Sequence, residues 1–321
     1  MLVLRADPWS PEFGADVSIA LDDLPVREVV VDPTVETPEW SRPIRPPETA
    51  NEPVTFVDGV RRVDLRILAQ ENGTKAWGLL GSYAAGGVRC DGRAAFVGET
   101  IQRVLILAPP LSPETLALCM GRAVLEYVGH AGDANEPLAC LDKLQRLMRE
   151  AEGRLAAELG TEWGPAGLVI LDGPLHYPIP PGVLAVGVVK RMQETYLEGE
   201  PAALMPRLQP GERTPVFALG RQKLDRYAWY QRLVPLRLPW HELSGIVRCE
   251  VRMSLGLGVA RSTADRVAAL LPEYAGQPGL DPRAPQNLSP VGALEAHLHR
   301  RLGHAGLIRR ALQAHLVGTA L

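Results

Sequence analysis

Lysine is nearly absent: of 34 Lys and Arg residues only Lys75, Lys143, Lys190 and Lys223 are lysine. Genome base composition is the simplest source of such a bias, and it makes a lysine inside a functional stretch worth notice. Cysteine is also scarce. Cys90, Cys119, Cys140 and Cys249 are widely scattered without a CxxC pair, which argues against a zinc ribbon or a dense disulfide framework, and they are expected to be buried thiols. No apolar run approaches the roughly 20 residues of a membrane helix; even Gly182–Val189 stops at Lys190 and Arg191. The opening MLVLR, followed by Asp7, Pro8 and Trp9, has no signal-peptide pattern, so a cytoplasmic address is expected. There is no GxxxxGK(S/T) phosphate loop, so any ATP-driven movement must come from a partner. A net charge of −3 supplies no general attraction for a polyanion, which would have to be held by a local patch.

What the chain does have is 321 residues, 46% hydrophobic and 22% charged, enough for a substantial core in one large domain or two modest ones. Residues 1–53 are rich in proline, including Pro43, Pro46, Pro47 and Pro53, and read as an extended arm, a candidate dimer or partner-binding element. From Val54 the pattern turns β-favouring. Val54–Val57 ends at Asp58-Gly59, and Arg62–Leu68, Trp77–Tyr83 and Arg93–Val97 follow with glycine-containing turns, which predicts an antiparallel meander. Ser112-Pro113-Glu114 reads as a helix start, with a helix over Leu116–Tyr127, and a longer helix is predicted from Pro137 to Leu159. Gly167–Leu171 and Val183–Val189 are continuous apolar runs of the kind found in strands buried on both faces. A helix near 192–206, strands at 215–219, 227–238 and 245–253, and helices at 261–274 and 290–317 complete an α/β pattern: a mixed sheet with helices on both faces.

Asp58 in FVDGV and Asp172 in LVILDGPL each close an apolar run and precede a glycine. A lone Asp-Gly is most simply a turn. Two of them at neighbouring strand ends can share a hard divalent cation, Mn²⁺ or Mg²⁺ in preference to zinc. A third carboxylate is expected from the helix before Asp172. On a helical wheel Glu152 lies roughly 60° from the centre of the Leu141, Leu144, Met148, Leu155 stripe, and Glu150 roughly 140° away, so Glu152 should face inward. His297, beside the stripe of the last helical segment, is either a satisfied surface histidine or a fourth group near the carboxylates. Trp229 and Tyr230 are either core residues or stacking partners for unpaired bases.

The segments FVDGVRRVDLR, DKLQRLMREAEGRLAAEL, LVILDGPL, VGVVKR and PVGALEAHLHRRL, in this order over about residues 54–312, resemble the NurA-type nucleases. The resemblance implies an RNase H-like fold related to the Argonaute nuclease core over 54–321. It also implies Mn²⁺-dependent cutting of DNA by single-strand endonuclease and 5′–3′ exonuclease activity, a homodimer, and work with the hexameric ATPase HerA in double-strand-break end resection and recombinational repair. It makes Asp58 and Asp172 metal ligands, the helix glutamate another, and His297 the late active-site group, with Lys190 matching the lysine after the second buried strand. Two departures stand out: Val60 replaces the serine common after the first Asp-Gly, and the glutamate register is open between Glu152 and Glu150.

Together these features predict a catalytic set of Asp58, Glu152, Asp172, Lys190 and His297, with Asp58, Glu152, Asp172 and His297 holding one or two ions of Mn²⁺ or Mg²⁺. Lys190 would stabilise charge on the phosphate or, on the plainer reading, be a strand-end surface lysine. Arg61, Arg62, Arg66, Arg300 and Arg301, with Arg309 and Arg310, are candidates for a positive track along DNA. The alternatives are a non-catalytic adaptor that binds DNA and the ATPase, and a metal nuclease of the same fold acting on RNA or branched DNA.

Overall fold

The computed structural model describes residues 3–6, 29–47, 52–163, 167–175, 179–180, 182–190, 195–220, 225–237, 240–277, 279–281 and 283–318. Among the described residues twelve strands join one sheet: β1 (Val3–Ala6), β2 (Val30–Asp32), β3 (Val54–Glu71), β4 (Thr74–Asp91), β5 (Arg93–Leu107), β6 (Leu116–Met120), β7 (Ala123–Ala131), β8 (Leu168–Asp172), β9 (Ala185–Val189), β10 (Phe217–Gly220), β11 (Arg226–Arg232) and β12 (Ile246–Arg252). Their order is β2-β10-β11-β12-β9-β8-β3-β4-β5-β7-β6, with β1 pairing the far end of β3. The helices are α1 (Pro137–Trp163), α2 (Gly199–Leu204), α3 (Leu257–Leu270), α4 (Ser289–Arg301) and α5 (Ala305–Gly318).

The centre, β5-β4-β3-β8-β9, has three antiparallel strands followed by two parallel ones, as the RNase H-like expectation requires. Apolar side chains of α1 and α5 pack on one face, and those of α3 and α4 on the other. Alternation along β3 follows from the pleat: Val57 belongs to the α1 face, whereas Phe56 and Val60 belong to the α4 face.

The predicted meander exists, but its strands are far longer than the apolar segments suggested. Asp58-Gly59 and the AAGG of 84–87 lie inside strands and form no turns. The reversals occur at Asn72-Gly73, where both residues have positive φ (49° and 82°), and at Gly92. Small residues continue the strands because helices press on them: a Cβ on Gly86 would lie 3.0 Å from Leu298, and one on Gly87 would lie 3.0 Å from Leu159.

The helix expected over 116–127 is instead the β6–β7 hairpin. Here a period of two wins over a period of three to four: Leu118 and Tyr127 turn inward, and Gly121 adopts the left-handed conformation at the turn. The segment at 290–317 is two helices, parted where Gly303 adopts a φ of +81°. Of the helix expected near 192–206, α2 and a 3₁₀ turn at Met205–Arg207 are seen, and 191–194 lie outside the described residues.

The described parts of the N-terminal arm are built into the sheet. β1 and β2 pair β3 and β10, Trp40 is buried, and Glu36 accepts from both Nη atoms of Arg213 and from the Val216 amide. Residues 7–28 and 48–51 lie outside the described residues. Of the four cysteines, all free thiols, Cys140 and Cys249 are buried as expected, Cys90 is half-buried and Cys119 is exposed on the β6 edge. No described helix is long and apolar enough to cross a membrane.

Candidate active site

Parallel pairing of β3 with β8 puts Val57 beside Leu171, so Asp58 and Asp172 come next on adjacent strands. The register brings together two acids 114 positions apart in sequence. They open into a cavity of about 550 Å³, which is also lined by Gly59, Arg149, Lys190, Arg283, Asn287 and Glu295. Asp58, Asp172 and Glu295 each offer an oxygen atom to a group whose members lie within 4.8 Å of one another.

Basic side chains balance most of this negative charge. Lys190 donates to Asp172 at 2.7 Å and to Asn287 Oδ1 at 2.7 Å. Arg283 forks onto both oxygens of Glu295. Arg149 Nη1 donates to Glu152 at 3.2 Å and to the Asp172 carbonyl at 2.8 Å. Asp58 is 5% exposed, and its Oδ2 has no hydrogen-bond partner among the described residues. Burial first, then repulsion from Asp172, Glu152 and Glu295, pushes its carboxyl well above the ordinary carboxylate range, with Lys190 opposing them. A buried, unpartnered carboxylate oxygen facing two more carboxylates is the donor set that a hard divalent cation satisfies, so the residues fit Mn²⁺ or Mg²⁺.

Glu152 is 3% exposed, whereas Glu150 is exposed and reaches toward Arg154, so the inward glutamate of α1 is Glu152. Its carboxylate rests over Gly59. A Cβ there would lie 2.5 Å from Glu152 Oε1, 2.9 Å from Met148 Cγ and 3.1 Å from the Ala84 carbonyl oxygen. The second residue of the Asp-Gly pair is therefore glycine for close approach of a helix and not for a turn. We expect Gly59→Ala to displace Glu152, to cost about 1–3 kcal/mol through overpacking, and to depress activity together with Tm. Unchanged thermal unfolding of that variant would show that α1 yields without strain.

Other predicted residues are placed elsewhere. His297 Nε2 donates to Glu99 at 2.9 Å and the ring stacks on Phe96; it is not among the residues lining the cavity. The group that α4 sends into the cavity is Glu295, which the sequence reading missed. The wheel carries the signal: residues two apart on a helix point about 160° apart, so Glu295 and His297 cannot face one site. Arg149 and Arg283 were also missed. Arg149 had a local cue, its i,i+3 spacing to Glu152, whereas Arg283 reaches Glu295 only through the loop before α4.

The arginine track does not form as predicted, because adjacent strand residues face opposite sides. Arg61 donates to Gln145 of α1. Arg62 is tied to Asp64 and to the Leu302 and Gly303 carbonyls at the end of α4. Arg66 is half-buried, Arg300 is exposed, and Arg301 is exposed and bound to Glu99. Trp229 and Tyr230 are fully buried core residues, which rules out base stacking by either.

Among solved structures, the NurA nuclease from Sulfolobus solfataricus aligns with a TM-score of 0.45 and 11% identity, covering 88% of this chain and 87% of that one. No curated protein matches the chain. The model of the NurA domain family matches residues 65–291, a span that includes Glu152, Asp172 and Lys190 while Asp58 and Glu295 fall just outside it. That span is well over half of the chain, and the protein belongs to the NurA domain family.

Proposed function

We propose that the protein is a divalent-metal-dependent deoxyribonuclease. The observation that carries the reading is the group of three carboxylates, Asp58, Asp172 and Glu295, in an open cavity shared with Lys190, Arg149 and Arg283. These carboxylates would hold Mn²⁺ or Mg²⁺, with Glu152 adjacent. When bound, the cation supplies Lewis acidity toward the phosphodiester and the water that attacks it. Lys190 and Arg283 line the same cavity and offer N–H donors to phosphate oxygens. Arg149 fixes Glu152 against the Asp172 carbonyl, which keeps the helix acid and the strand acid in register. Arg300 and Arg301 are the exposed members of the predicted track that could meet the DNA backbone.

Membership of the NurA domain family supports the finer reading as well: a cytoplasmic homodimer acting with a HerA-type hexameric ATPase in end resection. The absence of a phosphate-loop motif from the sequence is consistent with reliance on a partner for translocation. The test is cleavage of end-labelled single-stranded DNA, duplex DNA and RNA in Mn²⁺, Mg²⁺ or EDTA, by the parent and by Glu295→Gln. Metal-dependent DNA cutting is expected, lost in EDTA and reduced by about 10²–10³-fold in the variant. If the parent fails to cut DNA with either metal and the ATPase present, the nuclease reading falls. Cutting of RNA alone would overturn the substrate.

A further inference from the structure

The region of β5 that holds His297 has an unusual backbone. Gly87 pairs with Val97 and Gly86 with Glu99, so Gly98 is an extra residue in β5, with a φ of +58°. A side chain there would be strained, and its Cβ would lie 2.7 Å from Leu155. Residues 96 and 99 would face opposite sides of a regular strand. The bulge turns both to the α4 face, where Glu99 binds His297 at 2.9 Å and Arg301 at 2.7 Å, and Phe96 stacks on the His297 ring at 4.2 Å with 16° between planes.

Phe96 remains 49% exposed although His297 covers one side of its ring. A hollow of about 130 Å³ opens beside it, with Gly86, Gly87 and Gly98 in its lining. Asp58, Gly86 and Glu99 lie in one row across β3, β4 and β5, so the hollow is about two strand spacings, or 10 Å, from the carboxylates. The Asp58 side chain is on the same face, since α4 supplies both Glu295 to the cavity and His297 to the hollow. The last turn of that helix is basic, with His299, Arg300 and Arg301.

We propose that Phe96, backed by His297, is a stacking platform for an unpaired nucleobase of the strand whose backbone enters the Asp58 cavity. An exposed aromatic face beside basic side chains is what single-stranded nucleic acid binds: stacking is sequence-tolerant, and a base in a duplex cannot offer its face. Glu99 keeps the His297 ring parallel to Phe96, so the platform is a fixed two-ring stack. The role rests on the nuclease reading for its substrate but not for its test, because binding can be measured without cutting.

The experiment is fluorescence anisotropy of a labelled single-stranded 20-mer and of its duplex, in EDTA, with the parent, Phe96→Leu and Phe96→Tyr. Phe96→Leu is expected to weaken single-strand binding about tenfold, within the range for loss of one stacked base, while duplex affinity and Tm stay at parent values and Phe96→Tyr binds like the parent. Equal single-strand affinity of Phe96→Leu and the parent, or equal losses on single strand and duplex, would overturn the platform. A single-strand defect in a protein that never cuts DNA with metal would leave the platform standing and remove the nuclease reading. Normal cutting with no single-strand defect would do the reverse.

Discussion

Asp58→Asn is expected to lower metal-dependent DNA cleavage by about 10²–10³-fold, the scale of losing one preorganised charged or polar group at a reaction centre. The same change should leave the metal-free fold as stable as the parent, or raise its Tm by about 2 °C. The two effects share a cause. Asp58 is buried among Asp172, Glu152 and Glu295, and its Oδ2 has no hydrogen-bond partner among the described residues. Its charge therefore works against folding unless a cation neutralises it. Asparagine keeps the shape, removes the charge and can donate to a neighbouring carboxylate. A divalent cation should accordingly raise the Tm of the parent by mass action and that of Asp58→Asn much less. Thermal unfolding with and without Mn²⁺, run beside the cleavage assay, checks both parts. A variant that cuts at the parental rate, or shows the full metal-induced shift, removes Asp58 from the site.

The largest stability effect is expected on β12, at Glu250. This carboxylate is fully buried on β12 and accepts from Arg226 on β11 and from Arg248 on its own strand. Burial pushes the carboxyl up, but the two guanidinium groups outweigh it and hold Glu250 below its ordinary value of 4.5. With the folded value below the unfolded one, the stabilisation is complete above about 4.5 and is lost as pH falls through the folded value. Glu250→Gln would leave two buried arginines without their shared counter-charge and cost about 3–5 kcal/mol. It should also flatten the loss of stability below pH 4.5. Urea unfolding at neutral and acid pH measures both, and a cost under about 1 kcal/mol would mean that the arginines find other acceptors readily.

Much of the centre could be read from local pattern. The apolar run of β8 and the β-favouring start of β3 mark the strands that bring Asp58 and Asp172 together, because a strand buried on both faces must be apolar until the chain leaves the core. The stripe of Leu141, Leu144, Met148 and Leu155 determined which way Glu152 faces, since a helix with one buried face has a fixed phase. The 116–131 hairpin was misread because LALCM and AVLEYV satisfy both periods weakly, and pairing with β5 decided between them.

What the sequence determined by itself was thus the α/β alternation, the two strand acids and the phase of α1, all consequences of burial along single elements. Only the tertiary structure decided that α4 crosses the sheet with Glu295 over Asp58 and His297 over Phe96, since which side of a helix meets a site depends on its crossing and not on its spacing. Only the sheet decided that β3 runs on past Asp58-Gly59 through Arg61 and Arg62, and that a bulge at Gly98 turns Phe96 toward α4. Those positions are fixed by pairing and packing between segments far apart in the chain, which carry no periodic trace in either segment alone.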